Sequence, residues 1–138
     1  MKKLLFIALL MVSVSAFSQI KYEVFNLETG FWSGKKWEWK DPISINLTLT
    51  LVKSDIYISD NANTHIVTYN YEGETPGTDA DGDSYTSNKW NAYDEKGRQC
   101  FFIMQFYKEL NYNIYYVMYS DVCFRYYVKK ELPKDKFL

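Results

Sequence analysis

Five carboxylates crowd one stretch of the chain: Glu72, Glu74, Asp79, Asp81 and Asp83. The run Asp79-Ala80-Asp81-Gly82-Asp83 has part of the character of a calcium loop, because alternating acids can converge oxygen ligands on one hard cation. An EF-hand, however, needs glycine after the third acid and glutamate at loop position twelve. Here glycine precedes Asp83 and the later position is Trp90. A solvated acidic loop between two strands is expected instead, with Asp79, Asp81 and Asp83 the metal candidates should a cation bind. Histidine chemistry would have to use His65, the only one in the chain. It alternates with Val67 and Tyr69 and lacks the glycines of a nucleophile elbow, so it reads as a strand residue and not as the base of a triad. No zinc-ligand spacing exists either. A protein without catalytic residues or cofactor is expected.

Rings are the more abundant resource. Thirteen tyrosines, nine phenylalanines and four tryptophans exceed what a small interior needs. The cluster Trp32, Trp37 and Trp39 could stack on sugars or anchor a protein partner.

The elements that must position these residues are strands. Ile43, Ile45, Leu47, Leu49 and Leu51 alternate without a break with polar residues, the period of a sheet with one dry face and one wet face. Further strands are expected at about 21–27, 31–32 with 37–40, 56–59, 64–71, 85–93, 98–107, 113–119 and 122–129. Glycines and prolines are read as punctuation between them. Asp94-Glu95-Lys96-Gly97 suits a type I turn with a glycine bulge, and Ser120-Asp121 a two-residue hairpin turn. Sequential hairpins imply an antiparallel meander closed into a small all-β barrel of about eight strands over residues 19–129, with a two-sheet sandwich as the alternative.

The last hairpin sorts its residues by face. Tyr115, Val117, Tyr119, Val122, Phe124, Tyr126 and Val128 share one uncharged side, while Ile114, Tyr116, Met118, Cys123, Arg125, Tyr127 and Lys129 share the other. Cys123-Phe124-Arg125-Tyr126-Tyr127 on a final strand resembles the Cys-Thr-Arg-x-Tyr ending of intracellular fatty-acid-binding proteins. Trp37 after Gly34 is similar to the Gly-x-Trp that opens lipocalins, where a late basic residue covers the tryptophan. The resemblance implies a calycin-like barrel that turns Arg125 and Tyr127 inward to a ligand carboxylate, with Tyr116 and Trp37 beside them. The alternation alone leaves open whether that side faces a cavity or solvent.

Lys2 and Lys3 ahead of the apolar run 4–12, then small residues at Ala16 and Ser18, read as a signal peptide cleaved before Gln19. Nine apolar residues reach about 14 Å as a helix, half of a ~30 Å hydrocarbon core, so this segment is not a membrane span. Residues 130–138 are expected to form a loosely held tail. The chain has 16 basic and 17 acidic residues, and cleavage would remove two of the former, so nucleic acid is excluded as a partner for want of a basic stripe. Cys100 and Cys123, two strands apart in a meander, are expected to stay free thiols although export favours pairing. The expected function is a periplasmic or secreted binding protein for a small apolar or amphipathic ligand. The alternative is an interaction or inhibitor module acting on a protein through exposed rings. A continuous interior cavity would favour the ligand, and a filled interior with exposed tryptophans the partner.

Overall fold

The alternation seen in the sequence becomes nine strands in the computed structural model, which describes residues 19–59 and 64–130. They are β1 (Gln19–Trp32), β2 (Trp37–Trp39), β3 (Ile43–Val52), β4 (Asp55–Ser59), β5 (Thr64–Thr78), β6 (Ser84–Asp94), β7 (Gln99–Tyr107), β8 (Tyr112–Met118) and β9 (Val122–Lys129). All pairings are antiparallel, in the order β2-β1-β3-β4-β5-β6-β7-β8-β9, and β1 also pairs with β9. Eight strands thus close a barrel-like ring, and β2 lies outside it. Among the described residues no helix is long and apolar enough to cross a membrane. The expected leader and all but the first residue of the expected tail lie outside the described residues.

β1 makes the closure possible by pairing three times. Its first half pairs with β3, residues 24–31 with β9, and Gly30, Phe31 and Trp32 with β2. A bulge at Phe25 lets the strand bend between its first two partners. The ring is filled. Val24, Leu47, Leu49, Ile56, Ile58, Ile66, Phe102, Val117 and Val128 form its core together with Tyr115, which is wholly buried. The Tyr115 ring meets Tyr22, Phe102 and Phe106 edge to face at 5.2, 6.1 and 6.0 Å, the geometry that aromatic quadrupoles favour.

Two strands run further than expected, because Gly30, Gly73, Pro76 and Gly77 lie within strands and do not end them. At Gly30 a Cβ would sit 2.7 Å from the Trp39 ring, and at Gly77 one would sit 2.5 Å from Tyr85. In both places the missing side chain makes room for an aromatic ring laid across the backbone. Beyond Val67 one edge of β5 has left β4 behind. Two bulges, Pro76 and the exposed Glu72 and Glu74 make that edge a poor template for another strand.

The turns form as their sequences direct. Gly97 has φ 79°, its N–H donates to the Asp94 carbonyl at 2.9 Å, and the Tyr119 N–H donates to the Val122 carbonyl at 2.8 Å. Asp94 fastens this end of the ring. Its carboxylate accepts from the backbone N–H groups of Lys96 and Arg98 at 2.9 Å each and from the Tyr119 hydroxyl at 2.8 Å. The Arg98 guanidinium lies over the Tyr119 ring and meets Asp121 at 3.3 Å.

Candidate functional site

Strand alternation sends Tyr116, Arg125 and Tyr127 to one face, and the ring closure makes that face the outer one. Tyr115, Val117, Tyr126 and Val128 take the interior. The inward Arg125 and Tyr127 implied by the calycin resemblance are therefore corrected. Among the apolar side chains of the interior a guanidinium would be left without partners. Arg125 instead pairs with Glu28 on the neighbouring β1, Nε to Oε1 at 3.1 Å. It lies flat over Trp39, 3.4 Å from the ring centre. The tryptophan under the arginine is thus Trp39, while Trp37 stands two residues away on β2 against Trp32, with 5.5 Å between ring centres.

Around Arg125 the outer face is concave. Tyr85, Gln105, Tyr107, Tyr112, Tyr116 and Tyr127 form its floor and sides, and Asp79 and Asp81 at the β5–β6 hairpin tip form one wall. The enclosed space is about 290 Å³. Its groups are joined across four strands. The Tyr127 hydroxyl donates to Glu28 at 2.5 Å, Arg125 and Gln105 approach the Tyr116 hydroxyl, and the Gln105 amide donates to the Tyr107 hydroxyl at 2.8 Å. Lys130, the one tail residue described, donates to the Tyr107 carbonyl.

The electrostatics keep these phenols as donors. Burial raises the pKa of Tyr107, Tyr116 and Tyr127 above the usual phenol value. For Tyr127 the hydrogen bond to Glu28 adds to the rise, while for Tyr116 the Arg125 charge partly opposes it. Tyr112 is raised first by burial and then by the charges of Asp83, Asp79 and Asp81. The acidic tip itself is held by the Asp79 carboxylate, whose Oδ1 accepts from the N–H groups of Asp81 and Asp83 at 3.0 and 2.9 Å. The carboxylates of all three aspartates lie within 4.8 Å of one another. Desolvation, followed by the charges of Asp79, Asp81 and Glu109, raises the Asp83 carboxyl. The sequence expectation of an acidic loop between two strands is met, and the tip also walls a pocket.

A second depression on the same outer face, about 410 Å³ and chiefly apolar, lies between Trp32 and Trp37 on one side and Phe101, Met118 and Tyr119 on the other. Trp32 keeps 44% of its surface exposed. A third, about 270 Å³, opens at the Asp94 end of the ring among Leu27, Val117, Phe124 and Tyr126.

His65 pairs with Asp55, Nε2 to Oδ1 at 2.9 Å, and stacks on Tyr57, which suits a strand histidine satisfied by its neighbours. Cys100 and Cys123 are free, buried, and separated by β8 on opposite faces of the sheet. Both thiols are pushed up to about 12 by burial. Sequence reasoning grouped Arg125, Tyr116 and Tyr127 but missed Glu28, Gln105, Tyr107 and Tyr112. Gln105 and Tyr107 belong to the outer set of β7 by simple alternation, whereas the pairing of Glu28 depends on a ring closure that no local pattern announces.

No family model, no curated protein and no solved structure matches the chain.

Proposed function

We propose that the protein is an exported, non-catalytic interaction module that engages a protein partner through the outer aromatic face of its ring. One observation carries this reading: Trp32 and Trp37 stand around a mainly apolar groove on the outside of a ring whose inward side chains pack as a hydrophobic core. Large rings anchored in a rigid sheet lose little conformational freedom on binding, so they make effective hot spots. The Trp32-Trp37 ladder is held by β-pairing to β1, so the groove is formed before a partner arrives. Export is supported by the lysine pair, apolar run and small residues of the first eighteen positions.

A small apolar ligand is the second reading. It is supported by the depression at the Asp94 end of the ring, which at about 270 Å³ falls just short of the ~300–1,000 Å³ of common ligand sites. The two are separated by placing a photo-crosslinking residue at Trp32 or, on the outer face of β4, at Tyr57, and exposing each protein to the exported fraction of its own cells. The partner reading expects a discrete protein adduct at position 32 and none at 57. Equal labelling at both sites, or a co-purified lipid in the native mass spectrum without any adduct, would overturn it.

A further inference from the structure

The tyrosine pocket has a chemistry of its own, and the Trp32-Trp37 groove does not explain it. We propose that this pocket binds a neutral polyhydroxylated ligand, one residue of a glycan.

Asp79 and Asp81 stand on one wall, with Asp83 and Glu109 close by. Of the basic groups, Arg125 is neutralised by Glu28 and Lys129 by Glu23 at 3.0 Å, while Lys130 donates to the neutral Tyr107 carbonyl from outside the lining. The uncompensated charge of the lining is negative, which opposes any carboxylate, sulfate or phosphate ligand. A fatty acid is excluded on the same ground, although Arg125 is present. The acidic tip taken alone does not specify a metal ion, because one Asp79 oxygen is already committed to two backbone donors. An organic ammonium would satisfy the carboxylates. It could donate to the tyrosine hydroxyls as well, but it carries only N–H donors and offers no acceptor to the Arg125 guanidinium.

A sugar hydroxyl both donates and accepts. It can give a hydrogen bond to Asp79 or Asp81 on one wall and take one from Arg125 or a tyrosine on the other. The rings supply the remaining feature of such a site. Tyr85–Tyr107, Tyr107–Tyr112 and Tyr112–Tyr127 follow one another at 5.6, 6.1 and 5.3 Å, a curved aromatic wall against which the C–H face of a pyranose can lie. The network that fixes these side chains runs from Glu28 to Gln105, so little ordering remains to be done on binding.

The test is a titration of the 15N-labelled protein, followed by NMR, with glucose, galactose, mannose and N-acetylglucosamine at millimolar concentrations. Putrescine, calcium chloride and oleate are titrated in parallel. At least one sugar should shift the amides of Asp81, Tyr107, Tyr112 and Tyr127 saturably and leave those of Trp32 and Trp37 in place. Asp81→Asn, an exposed change that the fold tolerates, and Tyr112→Ala should each weaken that sugar about tenfold, the value of one hydrogen bond to a charged group or one lost ring contact. The proposal is overturned if no sugar moves these amides, if putrescine or calcium moves them and sugars do not, or if both variants bind as wild type. Because the Trp32 amides report on the other groove, failure here is distinguishable from failure of the protein-partner reading.

Discussion

Replacing Asp94 by asparagine removes one charge and keeps an oxygen in place for the two backbone N–H groups that it caps. Three hydrogen bonds converge on the wild-type carboxylate, from Lys96, Arg98 and Tyr119, and the residue is 7% exposed. Desolvation raises its pKa, but the three donors and the Arg98 charge outweigh it, and the carboxyl lies below its usual value of 3.8 in the folded protein. A hydrogen bond to a charged acceptor contributes about 1 kcal/mol more than one between neutral groups. Three such differences, less the desolvation that asparagine avoids, give a loss of about 2 kcal/mol for Asp94→Asn at pH 7. For a domain of this size that is roughly 10 °C in Tm. Asp94→Ala, which also strands the Tyr119 hydroxyl and two N–H groups, should cost about 3–5 kcal/mol.

The pH dependence has a definite sign. A carboxyl depressed by folding stabilises the native state above its unfolded pKa, and that contribution is lost as pH falls through the lower folded value. The gap between wild type and Asp94→Asn should therefore be full at pH 7 and shrink below about pH 4. Urea unfolding of both proteins across this range measures it. An asparagine variant within about 0.5 kcal/mol of wild type at pH 7, or a gap that persists unchanged in acid, would refute the assignment of Asp94 as the ionised fastener of this end.

Gly30→Ala should destabilise by about 1–3 kcal/mol, because the Trp39 ring occupies the space of the new methyl group, and near-UV circular dichroism should report the displaced indole. Glu28→Ala leaves Arg125 half-buried without its counter-charge and frees the Tyr127 hydroxyl. A loss of about 1–3 kcal/mol is expected by thermal unfolding, and Arg125→Met in that background should recover part of it. The thiols of Cys100 and Cys123 should resist alkylation in the folded protein and react fully once it is unfolded in urea, as intact mass will show. A mass two hydrogens short with no alkylation after unfolding would mean a disulfide and a different strand order.

Period-two patterning revealed most of the ring, because strands such as β3, β7, β8 and β9 repeat apolar side chains at alternate positions. Ile45 to Leu51 and Tyr115 to Tyr119 needed nothing else to be recognised. What period two cannot carry is the sign of a face. Both sides of β8 and β9 are rich in rings, so Arg125 could have been placed toward either, and the decision came from long-range closure, which sets Glu28 of β1 beside it. The over-long β5 was hidden for a related reason: Gly73, Pro76 and Gly77 read locally as breakers, while the β6 partner that sets the bulges of β5, and the Tyr85 ring laid over Gly77, belong to another segment. The same tertiary effect assembles the tyrosine pocket. Its floor comes from three successive strands at positions that alternate correctly, but its acidic wall is the tip of a hairpin whose extra length the sequence conceals. An apparently separate acidic motif and an apparently separate Arg-Tyr motif, far apart in the chain, thus become two walls of one cavity. The aspartates without the tyrosines suggest a cation, and Arg125 without Asp79 suggests a carboxylate. The two walls together present acceptors and donors, and that combination is the ground on which a hydroxylated ligand is proposed.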